Sequence, residues 1–232
     1  MTTFISRREL LKRAGLAGAA VVVSPSLASA DPAGAGQAAA TASRAVAREP
    51  LENLTAAESD ILEAIVTRLI PTDASGPGAA DARAAHYIDR ALGGALSSSR
   101  QAYTAGLAAL DRHARSSRGA PFAQLSAPDQ DAVLTDVESG AADGFSGTSS
   151  AFFAMVRAHT LQGTFCDPFY GGNASFVGWD LVGYPGVRTI VTPDEQRLGA
   201  NVTRNHKSAY DYEMFTKASA SAATGHGPNH GD

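Results

Sequence analysis

The chain has 232 residues, of which 19 are basic and 23 are acidic, and its formal net charge is −4. This balance gives no electrostatic basis for binding nucleic acid or anionic lipid, so neither is expected as a partner. Its single cysteine, Cys166, excludes a four-cysteine iron–sulfur site, a Cys-x-x-Cys pair and a haem attachment motif from this chain.

The first 30 residues have the pattern of an export signal. Arg7 and Arg8 lie in a Ser-Arg-Arg-Glu-Leu-Leu-Lys sequence, which matches the twin-arginine pattern except that leucine replaces the commoner phenylalanine. The apolar run over residues 14–23 is shorter than the roughly 20 residues that span a bilayer. An Ala-Ser-Ala cleavage site ends at residue 30. We therefore expect residues 1–30 to be removed, and the exported protein to lie in the periplasm or cell envelope without a membrane span of its own.

Helical periodicity dominates the chain after residue 50. Residues 31–50 are rich in alanine and glycine and predict a flexible linker. Thr55 and Glu58 have the spacing of a capping box, and the helix that they start ends at Pro71. Further helices are indicated by apolar residues at helical spacing around Tyr87, Ile88, Ala91 and Leu92; around Tyr103, Leu107 and Leu110; after Ser126 and Pro128, at Val133, Leu134 and Val137; and at Phe152, Phe153 and Val156.

No segment shows the two-residue alternation of a β-strand. We therefore expect an all-α fold: one small multi-helix domain over residues 51–215, followed by a disordered tail over residues 216–232.

A segment dense in glycine, proline and aromatic residues interrupts the helical pattern between residues 165 and 186. Glycine permits positive φ and proline fixes φ, so this segment predicts a specific loop path and no regular helix. Its aromatic side chains either cover the core of the domain or form a surface for a partner, where tyrosine and tryptophan are favoured. The candidate interface residues are Cys166, Asp167, Pro168, Tyr170, Gly171, Gly172, Asn173, Trp179, Tyr184 and Pro185.

The sequence shows no cofactor motif. There is no Gly-x-Gly-x-x-Gly after a strand-like run and no Gly-Lys-Ser/Thr phosphate loop. His86 and His159 lie beside apolar helix positions and indicate packed or surface histidines, while His226 and His230 lie in a tail that offers no fixed support for a metal. We nominate no catalytic, cofactor-binding or metal-binding residue. Because the twin-arginine route carries folded proteins, we expect a companion that holds the cofactor.

Three blocks, taken together, resemble the gluconate 2-dehydrogenase subunit 3 family. They are the twin-arginine leader; Leu-Thr-Ala-Ala-Glu at residues 54–58 with Tyr-Ile-Asp at 87–89; and Asp-Pro-x-Tyr-Gly-Gly-Asn at 167–173 followed by Gly-Trp and Gly-x-Pro-Gly up to residue 186. The resemblance implies a non-catalytic small subunit that escorts and stabilises a large dehydrogenase of the glucose-methanol-choline type. That partner would hold FAD and oxidise a sugar, polyol or sugar acid, often beside a multihaem cytochrome c subunit.

Two other functions and two roles for the cysteine stay open. The chain could be a secreted enzyme of unknown type, although no acid–base pair can be nominated, or a free-standing protein that binds a small ligand. In an oxidising compartment Cys166 is either a packed apolar side chain or half of an intermolecular bridge. Its position in the proposed interface leads us to predict a disulfide with a cysteine of the large subunit.

Overall fold

The computed structural model describes residues 51–216. The α-helices of this region are α1 (Ala56–Leu69), α2 (Ala84–Ala91), α3 (Arg100–Arg118), α4 (Ala127–Ser139), α5 (Ser149–Phe165) and α6 (Val177–Val182). Residues 51–216 form no β-strand beyond an isolated bridge between Asp73 and Gly76, so the predicted all-α class is confirmed. The predicted signal (1–30), the predicted linker (31–50) and residues 217–232 of the predicted tail lie outside the described residues.

Local side-chain caps determine where the helices begin. The Thr55 hydroxyl accepts a hydrogen bond from the Glu58 backbone N–H, and the Glu58 carboxylate accepts one from the Thr55 backbone N–H. This is the capping box that the sequence predicts. Ser126 caps α4 and Thr148 caps α5 in the same general way. Each cap satisfies backbone donors that have no partner inside the first helical turn.

Helix α5 lies at the centre of the domain and contacts each of the other five helices. Its glycine Gly163 packs against α2 so closely that an added Cβ would lie 3.0 Å from the Ala84 Cα. The close crossing lets the two helices share one core. The largest fully buried side chains in that core are Tyr103, Phe122, Leu62, Ile65, Ile88, Leu107 and Leu110.

A polar pair of aromatic side chains lies inside this core. The Tyr103 hydroxyl is 3.0 Å from Nδ1 of His159, and the two rings stack at 5.8 Å. Burial lowers the pKa of His159, which favours the neutral imidazole, and burial raises the pKa of Tyr103. His159 is therefore a packed, hydrogen-bonded core residue that joins α5 to α3.

Asp89 fixes the chain where it enters α1. Its side chain is buried, and its two carboxylate oxygens accept hydrogen bonds from the backbone N–H groups of Glu52, Asn53 and Leu54 at 2.8, 3.0 and 2.7 Å. Asp89 is thus a buried acidic residue, which is uncommon in proteins unless the carboxylate is paired. The three backbone donors compensate for the desolvation of the carboxylate.

Candidate functional site

The segment after α5 is more regular than the sequence suggests. Helix α5 continues two residues beyond Gly163, and α6 occupies six residues of the segment that was expected to contain no regular helix. That expectation is wrong for Val177–Val182. The physical reason is close packing: an added Cβ on Gly178 would lie 1.9 Å from the Thr164 carbonyl oxygen. Glycine here permits α6 to pack on the end of α5 and does not act as a helix breaker.

Asn173 is the central support of this segment. It is fully buried, and its backbone N–H donates to the Gly163 carbonyl at 2.8 Å. Its side-chain amide donates to the Cys166 carbonyl at 2.8 Å and accepts from the Gly178 N–H at 2.8 Å. Its backbone φ of 45° lies in the left-handed region, which asparagine tolerates better than most residues. One residue thus joins α5, the following turn and α6.

Gly172 and Trp179 also lie inside the domain. A Cβ on Gly172 would be 2.1 Å from the Gly163 carbonyl oxygen, so this position needs glycine. Trp179 is buried and its indole N–H donates to the Phe165 carbonyl at 3.0 Å. Tyr184, which is partly exposed, packs edge-on against Trp179 with ring centroids 4.8 Å apart. Gly172, Trp179 and Tyr184 were predicted as interface residues, but together with Asn173 they fix the path of the segment by packing within the domain.

The segment near residue 208 folds back over the turn that follows α5, a contact that the sequence did not predict. Asp167 accepts hydrogen bonds from the Ser208 hydroxyl at 2.6 Å and from the Ala209 N–H at 2.9 Å. Tyr210 stacks on Phe169 at 3.7 Å, and its hydroxyl is 2.6 Å from that of Tyr170. Pro185 is held similarly, because its carbonyl accepts from the Asn205 N–H at 2.9 Å. These pairs are about 20 to 40 residues apart, so no local pattern marks them.

An open apolar groove lies between α2, the turn that follows it and the end of α5. Its volume is about 720 Å³. Leu161, Phe169 and Tyr170 form its walls and expose 43, 55 and 49% of their surfaces. Among the described residues that line it, Arg90 carries a charge and there is no aspartate or glutamate. The other lining residues are Tyr87, Ala91, Gly94, Ala95, Gln162, Phe165 and Cys166.

The predicted interface residues therefore divide into two groups. Cys166 and Tyr170 face the groove, while Gly171 contacts the Arg90 side chain at its edge. Pro168 starts the turn that carries Phe169 and Tyr170. The remaining residues fix the path of the chain behind this surface, as described above for Asp167, Gly172, Asn173, Trp179, Tyr184 and Pro185.

The Cys166 thiol is a weakly acidic group in the groove wall. Burial raises its pKa to about 11, so the thiol is protonated at neutral pH. Its Sγ lies 3.7 Å from the Gly163 carbonyl oxygen, to which the thiol donates weakly. This environment differs from that of catalytic cysteines, whose pKa is lowered by nearby positive charge or a helix N-terminus.

Residues 51–216 contain no cluster of three or more His, Cys, Asp or Glu side chains that could hold a metal ion. Over the same residues, none of the helices has both the length and the apolar character needed to cross a membrane. The described residues do form the open groove, which is suited to apolar side chains and has one cation, Arg90, at its edge.

Comparison with known proteins identifies the family. A family model described as gluconate 2-dehydrogenase subunit 3 matches residues 56–186, which is more than half of the chain. No curated protein and no solved structure matches the chain. The matched range includes all six helices, Asp89, Asn173 and the residues that line the groove. The chain therefore belongs to the gluconate 2-dehydrogenase subunit 3 family, an accessory subunit of a dehydrogenase complex.

Proposed function

We propose that this chain is a non-catalytic subunit that binds a large FAD-dependent dehydrogenase of the glucose-methanol-choline type, stabilises it and escorts it out of the cytoplasm. FAD would be held by the large subunit, and haem c by a third, cytochrome subunit where one is present. The substrate would be a sugar, a polyol or a sugar acid bound by the large subunit. The observation that carries the proposal is the open apolar groove inside the region that the family model matches.

The groove has the properties of a protein-binding surface. Leu161, Phe169 and Tyr170 leave roughly half of their surfaces in water, and covering such apolar area is favourable by about 25 cal/mol per Å². Aromatic residues are enriched at the centres of protein interfaces. The hydrogen bonds of Asn173 and Asp167 fix the backbone behind these side chains. A surface that is already ordered loses less conformational entropy when a partner binds.

The export part of the proposal rests on the leader. Arg7 and Arg8, which lie outside the described residues, have the twin-arginine spacing of a signal for folded proteins. A flavoprotein must fold around its cofactor before it crosses the membrane by this route. One leader on the small subunit would then serve both proteins and place the complex in the periplasm or cell envelope.

Changing Leu161 to aspartate is expected to disrupt the complex. This substitution places a charge on a wall of the apolar groove, and we expect it to weaken binding to the large subunit by about tenfold or more. The measurement is co-purification of the flavoprotein, followed by its flavin absorbance, with a tagged small subunit. Val191→Asp is the matched control, since Val191 is 45% exposed and does not line the groove. Equal flavoprotein retention by wild type and Leu161→Asp would contradict the proposed surface.

We also propose a disulfide between Cys166 and a cysteine of the large subunit. Cys166 lines the groove, so a docked partner would approach its thiol. Joining the two thiols removes two electrons and two protons, which a disulfide oxidant of the oxidising compartment would accept by thiol–disulfide exchange. Because the pKa of the Cys166 thiol is raised to about 11, little thiolate is present at neutral pH and this exchange should be slow. Non-reducing electrophoresis of the exported complex should show one band at the summed mass that is lost on reduction and in Cys166→Ser. If the wild-type subunits migrate as separate bands without reductant, the disulfide is absent and Cys166 is only a packing residue.

A second candidate function is the binding of a small apolar ligand by the free subunit. A groove of about 720 Å³ lies within the size range of small-molecule sites. It is tested by the same purification, because a free-standing binding protein would retain no flavoprotein.

A further inference from the structure

We propose that the groove receives a segment of the large subunit in which an apolar side chain lies next to a carboxylate, and that Arg90 binds this carboxylate. The inference rests on the proposed function, since it specifies the chemistry of the partner that this surface recognises. It assigns Arg90 a role in recognition that the sequence did not suggest.

Arg90 carries a positive charge that the described part of the chain leaves unneutralised. It is exposed in the last turn of α2, and no carboxylate within residues 51–216 bonds its guanidinium group. The adjacent carboxylate of Asp89 points into the protein, where backbone N–H groups of residues 52–54 occupy its oxygens. The Asp167 carboxylate is likewise occupied by Ser208 and Ala209. The carboxylates of Asp89 and Asp167 are therefore both engaged within the fold.

The position of Arg90 places this charge at the groove, because Arg90 is one of the residues that line it. Its guanidinium lies beside Gly171, where an added Cβ would be 3.4 Å from Nη1, at van der Waals distance. The groove lining contains this cation, no acid and a largely apolar surface. A segment with a carboxylate beside an apolar residue complements both features, while a basic segment would be repelled.

A protein segment fits the surface better than a small anionic amphiphile. Leu161, Phe169 and Tyr170 form the walls of an open groove and expose about half of their surfaces. A small ligand would cover the faces of these side chains that line the groove and leave the rest of their exposed apolar surface in water. A partner subunit would fill the groove and cover the exposed surfaces of its walls together, and exposed apolar patches commonly mark such protein interaction sites.

Charge reversal at Arg90 tests the proposal directly. We expect Arg90→Glu to weaken binding of the large flavoprotein by about 10- to 100-fold and Arg90→Gln to weaken it less, because only the former adds repulsion. Arg118→Glu makes the same change of charge on α3, outside the groove, and should bind like wild type. Unchanged melting temperatures show that each variant is folded, and Arg90→Gln replaces Arg90→Glu as the deciding variant if the latter unfolds.

A photo-crosslinker at position 161 identifies the partner segment independently. The cross-linked flavoprotein peptide, found by mass spectrometry, should contain an apolar residue next to aspartate or glutamate. Changing that acid to arginine should restore at least about tenfold of the affinity that Arg90→Glu loses, as expected for a direct charge pair. A peptide without an acid, or equal binding by Arg90→Glu and wild type, would overturn the inference and leave the proposed function standing. Failure of the wild-type subunit to bind the flavoprotein, with saturable binding of dodecanoate instead, would overturn both.

Discussion

Gly178→Ala is expected to lower the free energy of unfolding by about 3 kcal/mol, the upper end of the cost of overpacking. The added Cβ would lie 1.9 Å from the Thr164 carbonyl oxygen, so the backbone of α5 or α6 must move. That movement also breaks the 2.8 Å hydrogen bond from the Gly178 N–H to Asn173. The loss should appear as a fall in melting temperature of roughly 6 to 12 °C for a chain of this size.

Gly94→Ala is the matched control for this prediction. An added Cβ there would have its nearest neighbour 4.0 Å away, at ordinary van der Waals distance, and φ at Gly94 is not positive. The same chemical change should therefore leave stability within about 1 kcal/mol of wild type. If the Gly178→Ala and Gly94→Ala proteins had the same melting temperature, the stability of α6 would not depend on its close approach to α5.

Asp89→Ala is expected to destabilise the protein by about 4 kcal/mol, because three backbone N–H groups lose a charged acceptor. The donors belong to Glu52, Asn53 and Leu54, and that of Leu54 is buried. The urea midpoint should fall by more than about 1 M. Thr55→Ala, which removes the cap of α1 a few residues away, should cost only about 1 kcal/mol. Equal midpoints for the two variants would contradict the anchoring role of Asp89.

Features that depend on neighbouring residues were predictable from the sequence. Thr55 and Glu58 form the expected capping box, and Ser126 caps α4 with a proline in its first turn, because both devices act within one turn of helix. The apolar residues at helical spacing likewise identified buried positions, including Leu107, Val133 and Val156. The all-α class follows from these short-range patterns.

Features that depend on distant contacts were not predictable. Helix α6 has six residues, too few for a periodic pattern, and Gly178 resembles a helix breaker unless its contact with Thr164 is known. Ser208 and Tyr210 reach Asp167 and Phe169 across about 40 residues. Arg90 could not be singled out, since nothing in the sequence shows that its side chain lies beside Gly171 at a groove.

The supports behind the groove link the fold to the proposed function. Asp89 and Arg90 are adjacent residues of α2: the Asp89 carboxylate anchors residues 52–54, and the Arg90 guanidinium, which lines the groove, is the group that we propose binds the partner. Asn173 and Gly178 hold the end of α5, where Leu161 of the helix and Cys166 directly after it line the groove. Variants that loosen these supports should therefore weaken partner binding as well as stability.

The central claim, that this chain escorts a flavoprotein without catalysing the reaction, is tested most directly by localising the enzyme in cells that carry Arg7→Lys and Arg8→Lys together. Cell fractionation followed by a dye-linked dehydrogenase assay should find both the small subunit and the flavoprotein in the cytoplasm, with the activity retained there. Deletion of the flavoprotein should abolish the activity while the small subunit is still exported. Export of active flavoprotein at the wild-type level from the double-lysine strain would contradict the account.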